Sequence, residues 1–109
     1  MKKTFYTHLV EETNITLEIA ELDVTNKERI HLLSLMQANI HSSVVLTVLS
    51  KLSKEDKKIF LKNLAEENNE KIWSHLKSNV IDMEEQLRQA IEKTIKELLE
   101  DVKEARKLK

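Results

Sequence analysis

One interval dominates the hydrophobic pattern of this chain. From Ile30 to Ser50, twenty-one consecutive residues include no Asp, Glu, Lys or Arg. Within it Leu32, Leu33, Leu35, Met36, Ile40, Val44, Val45, Leu46, Val48 and Leu49 point nearly all round a helix. Such a run predicts a central helix over 26–51, buried on most sides by other elements. Its length would also span a bilayer, but His31, Gln37, Asn39, His41, Ser42 and Ser43 interrupt it. Those side chains are costly in hydrocarbon, so a buried helix is the expectation and no membrane association is inferred.

Helical spacing recurs on either side of that run. It predicts a short helix at about 3–12, a second helix at 54–67, a short one at 70–78 and a long one at 83–107. In the last, Ile91, Ile95, Leu98 and Val102 follow a coiled-coil spacing of four, three and four residues between charged faces. The stripe covers only about two heptads, so a partner helix and the chain's own domain are equal alternatives as its cover. Twenty-five residues make about 38 Å of helix, slightly more than the ~35 Å diameter of a compact chain of this size. The basic tail 103–109 is therefore expected to overhang or fray. Residues 15–19 alternate like a strand, but Ile15, Ile19 and Leu22 also share a helical face, and a strand would lack a partner. A short helix or turn at 15–22 follows. The fold class expected is all-α: a compact bundle of five or six helices forming a single domain over 1–109.

Composition changes how those helices must be punctuated. The 109 residues include no glycine, no proline and no cysteine, where average usage would give roughly eight Gly and five Pro. Helix starts must then rely on side chains that accept hydrogen bonds from the free amides of the first turn. Thr25-x-x-Glu28, Asp82-x-x-Glu85 and Ser53-x-x-Asp56 have the spacing of reciprocal caps, and Asn69 before Glu70 is a fourth candidate. Without glycine, left-handed residues at helix ends are expected at Asn68, Asn69 and Asn79.

The same absences restrict chemistry. Phosphate-binding loops, dinucleotide fingerprints and nucleophile elbows need small residues that let the backbone approach, and this chain cannot build them. Lack of cysteine removes disulfides, iron–sulfur clusters and thiolate zinc sites. The four histidines, His8, His31, His41 and His75, offer no pair three or four residues apart, and Glu28-x-x-His31 is half of a di-iron motif at best. No catalytic residue, cofactor, metal site or small-molecule substrate is inferred, and an enzyme is not expected. The first eight residues hold no apolar stretch of signal-peptide length, so a cytoplasmic protein is expected.

Charge bears on partners. Eighteen basic and nineteen acidic residues leave a formal net charge of −1, so no global field draws the chain to nucleic acid. Locally, residues 11–28 hold six acids and the single base Lys27, while Lys103, Arg106, Lys107 and Lys109 make the end basic. The pair of helices over 54–78 suggests a helix-turn-helix presenting Lys71, Ser74, His75 and Lys77 to DNA. Glu66, Glu67 and Glu70 crowd that approach.

The central stretch Leu49-x-x-Leu52-Ser53-x-Glu55-Asp56-Lys57-Lys58-x-Phe60-Leu61-x-x-Leu64, then Glu70-Lys71-Ile72-Trp73-x-x-Leu76-Lys77 and a long Glu-rich helix, resembles a family of short uncharacterised bacterial helical proteins. The resemblance covers about residues 30–105 and implies an all-helical fold; the family carries no established activity. Relatives tend to have Gly or Pro near Asn68 and Val80, where this chain has neither.

The functional expectation is a non-enzymatic helical protein–protein interaction module, either a homo-oligomer or a small subunit of a larger assembly. A nucleic-acid-binding protein using the 54–78 pair or the basic tail is the alternative. An uncharged central helix needs cover on several sides, which places candidate contacts at Leu32, Leu35, Met36, Val44 and Val45. On the last helix the candidates are Ile91, Ile95, Leu98 and Val102. Trp73 fits a seam between two helices, and joins the candidates if it is partly exposed.

Overall fold

The structure, a computed structural model, describes residues 4–107. Among these it holds six helices and no strand: α1 (Thr7–Glu11), α2 (Ile15–Ala20), α3 (Asn26–Lys51), α4 (Lys54–Ala65), α5 (Asn69–Asn79) and α6 (Met83–Lys107). The protein is an all-α bundle, and its two longest elements, α3 and α6, form the principal contact. Leu32 and Met36 near the start of α3 lie with Leu98, Leu99 and Val102 near the end of α6, so the two run antiparallel.

Both long helices bury residues four apart. Met36, Ile40, Val44 and Val48 of α3 form one side of the core, and Met83, Leu87, Ile91 and Ile95 of α6 form the other. A four-residue step on an α-helix drifts only slowly round the axis, so each spine stays on one face over three turns. α2 settles the ambiguity at 15–22 as a helix: Ile15 and Ile19 share its buried side, whereas Leu17 is exposed.

The N-terminal segment is fastened by aromatic rings. Phe5 meets Tyr6, Phe60 and Trp73 edge-on at centroid distances of 5.2, 5.8 and 5.7 Å, which joins all four aromatic residues of the chain in one cluster. The Trp73 indole N–H donates to the Phe5 carbonyl at 2.6 Å, tying the segment to α5. Edge-to-face geometry puts each ring's positive rim on its neighbour's electron-rich face.

Caps form at three helix starts. The Thr25 hydroxyl accepts from the Glu28 amide at 3.1 Å and donates to its carboxylate, and Ser53 does the same with Asp56. α5 is capped by Asn68, whose side-chain oxygen accepts from the Lys71 amide at 3.1 Å, so the expected cap at Asn69 lies one residue too late. At the expected Asp82-x-x-Glu85 box the Glu85 carboxylate accepts from Arg88, and Asp82 has a φ of 56°.

Left-handed backbone occurs at Glu67 and Asp82, both with φ of 56°, and not at the asparagines expected from the sequence. The reason is positional. Asn68 is occupied as the α5 cap at φ −90°, so the reversal after α4 falls one residue earlier. There the Asn68 amide donates to the Asn63 carbonyl and the Glu67 amide to the Leu64 carbonyl, the paired bonds of a Schellman ending.

The bundle is elongated, with extents of 49 × 23 × 21 Å and a radius of gyration of 15.6 Å. A compact chain of this length would have a radius of about 13 Å. Its length is set by α3 and α6, which run side by side. α6 runs to Lys107 in the tail expected to overhang or fray; residues 108–109 of that tail lie outside the described residues.

Candidate functional site

The two faces of α3 carry different chemistry. Its buried spine leaves Leu35, Ala38, Asn39, Ser42 and Leu46 exposed along the other side, with Leu32, Val45 and Leu49 half-buried at the margins. Leu46 is 66% exposed and Leu35 39%. α3 buries Met36, Ile40, Val44 and Val48 and packs Leu33, Val45 and Leu49 half-buried against the core, while Leu35 and Leu46 stay exposed. The cause is the slender fold, since α6 occupies a single flank of α3 and the short α2 reaches only part of its length.

Along the exposed side, Leu35, Ala38, Ser42, Val45 and Leu49 recur at three, four, three and four residues, a seam spacing distinct from the four-residue step of the core. Asn39 and Leu46 beside it are uncharged as well. A 21-residue stretch of surface helix without a charge is unusual in a chain that is 34% charged. Helix faces meant for water ordinarily carry Lys and Glu, as the rest of this molecule does.

α6 shows that contrast. Its outward charges are organised locally: Arg88 Nε donates to Glu12 at 2.8 Å, the same guanidinium reaches Glu84 at 3.5 Å, and it also binds Glu85. Arg88 therefore ties α1 to α6 and holds the Glu12 carboxyl below its ordinary range by hydrogen bonding. Near the other end, Arg29 donates to the carbonyls of Ile19, Leu22 and Val24 and to Asn26, closing the C-terminal end of α2 and the turn that follows. No sequence signal marked Arg29, because its partners are main-chain oxygens that any residue supplies.

Of the ten residues expected to meet a partner, Met36, Val44, Ile91 and Ile95 are buried in the chain's own core. Leu98 and Val102 are half-buried, Leu98 being packed on that core, and with Leu32 they adjoin the gap between α2, α3 and α6. The coiled-coil spacing on α6 thus serves the domain itself. Trp73 is half-buried and its indole is committed to Phe5 and His8. Val45 is half-buried and packed on the core, so of the ten Leu35 remains on the outward face of α3, joined by Leu46, which was noted as part of the apolar run but not singled out.

Other features hold less chemistry. His75 Nε2 lies 3.0 Å from Asp56 Oδ1, which turns the ring inward, away from the surface expected to face DNA. Its Nδ1 is the one buried side-chain polar atom without a hydrogen bond among the described residues. Ser53 bonds to Asp56 and not to His75, so the three make a cap and a helix-to-helix tie, not an activated nucleophile. That hydrogen bonding, from His75 and then Ser53, lowers the Asp56 carboxyl below its ordinary value. A cleft of about 570 Å³ between α1, α2 and α3 includes Val10, Ile15, Ile40 and Tyr6 in its lining, with Glu11 its one charged wall residue. The Tyr6 hydroxyl there is engaged by His41 Nδ1 at 2.8 Å, and burial pushes its ionisation up. No group of three or more His, Cys, Asp or Glu able to hold a metal occurs among the described residues.

Fold and surface together define a small all-α bundle with one uncharged, outward-facing helix side. Compared with known protein families, curated proteins and solved structures, the chain matches none.

Proposed function

We propose that this chain is a non-enzymatic helical interaction module whose docking surface is the outward side of α3. The observation carrying that reading is the exposure of Leu35 and Leu46, with Ala38, Asn39 and Ser42 between them, on an uncharged side of a helix whose opposite side fills the core; Val45 and Leu49 border that side, half-buried against the core. Exposed apolar area that is contiguous and free of charge is costly in water and is found where another surface covers it. Leu46 on that side is the natural anchor, because a leucine 66% exposed has most to gain from burial.

A photoreactive amino acid placed at Leu46, in cells that make the protein, tests this. Cross-linked protein adducts are expected at position 46 and not at the exposed α6 position Lys93. Equal labelling at both, or none at 46, would contradict the reading.

A further inference from the structure

We infer that the outward side of α3 receives the same side of a second copy of this chain, the two α3 helices running antiparallel about a two-fold axis near Ser42. This rests on the docking reading above and adds the identity and orientation of the occupant.

The seam is self-matching in character. It holds no ionic group that a partner would have to neutralise, and its flanking positions Ser34, Asn39, His41 and Leu46 bring no like charges together. Ser42 lies midway between Leu35 and Leu49, so a two-fold axis there sets each leucine opposite the other's counterpart. At a net charge of −1, copies do not repel one another at long range.

The ends of α3 select the orientation. Around its start Glu18, Glu21, Asp23 and Glu28 outnumber the exposed Lys27, and around its end Lys51, Lys54, Lys57 and Lys58 outnumber the exposed Glu55, so the two ends carry opposite net charge. Antiparallel copies bring each acidic end to the other's basic end, twice, while parallel copies set acid against acid and lysine against lysine. Pairing also places each α3 between its own α6 and the partner helix, with the charged sides of the α6 helices outermost, the layering of a four-helix bundle.

The stretch 30–50 is about 32 Å long. Two such faces would bury on the order of 1,000 Å² in total, the low edge of specific interfaces, so association in the micromolar range or weaker is expected.

The absence of native cysteine permits a direct test with a short bismaleimide on single-cysteine variants of the full chain. Ser42→Cys should give a covalent dimer and Ser78→Cys, exposed on α5, should not. A mixture of Leu35→Cys and Leu49→Cys should cross-link one to the other, while Leu35→Cys alone stays monomeric. Cross-linking of Leu35→Cys to itself overturns the antiparallel pairing. No dimer from Ser42→Cys overturns self-association. If position 46 nevertheless photolabels a different protein, the docking surface stands and the second copy is the part that fails. Co-sedimentation of the unmodified chain with phosphatidylcholine vesicles, without cross-linked dimer, likewise overturns it in favour of a lipid surface.

Discussion

At the scale of single residues, the tie between Asp56 and His75 makes stability depend on pH. The Asp56 carboxyl is held below its ordinary value of 3.8 by the His75 and Ser53 hydrogen bonds. A carboxyl depressed in the folded state contributes stability that is fully present above the unfolded value and lost as pH falls through the folded one. The urea midpoint of the wild type should therefore exceed that of Asp56→Asn at pH 6, and the gap should shrink as pH drops below about 4. A gap that widens on acidification would contradict this. Glu67 illustrates a different cost. A left-handed non-glycine residue costs about 1–2 kcal/mol, partly offset by the freedom glycine adds to the unfolded chain. The sequence showed that something other than glycine must take such positions. It could not show which residue, because the choice followed from Asn68 already being the α5 cap.

At the scale of elements, helix positions were legible and helix environments less so. The starts at Asn26 and Lys54 follow from Thr25 and Ser53, whose caps read directly from residue type and spacing. Thr25→Ala should cost about 1 kcal/mol in a thermal or urea melt, since the Glu28 amide would lose its acceptor. The N-terminal segment depends instead on long-range packing: Phe5 meets residues 55 and 68 positions away, beyond any local pattern. Phe5→Ala should cost about 3–5 kcal/mol and free Trp73 fluorescence from its packed environment, whereas a loss below 1 kcal/mol would mean the segment does not hold the bundle together. The candidate surface was half legible for the same reason. Absence of charge over 30–50 marked α3, but only the path of α6 along one flank decides that Met36 and Val44 are core while Leu35 and Leu46 face outward. For the seam on α6 the sequence left a partner helix and the chain's own domain as equal alternatives, since heptad spacing suits both, and Ile91 and Ile95 lie buried in the domain's core.

At the scale of the whole molecule, elongation and the uncovered side of α3 are one fact. Two helices of 26 and 25 residues in a 109-residue chain leave too little material to wrap both. Intermolecular burial then substitutes for a missing layer of the bundle. Leu46→Lys should leave the fold intact, because that side chain contributes little to the core, with a melting transition within about 0.5 kcal/mol of wild type. The same change should weaken association, since it replaces the most exposed apolar side chain beside the seam with an ammonium and adds a like charge to each copy. Sedimentation equilibrium of the wild type and Leu46→Lys across micromolar to millimolar concentration measures this most directly. The account predicts a wild-type mass rising from 12.8 kDa towards twice that value while the variant stays at 12.8 kDa. A wild type that stays at the monomer mass throughout, or a variant that associates equally well, would contradict it.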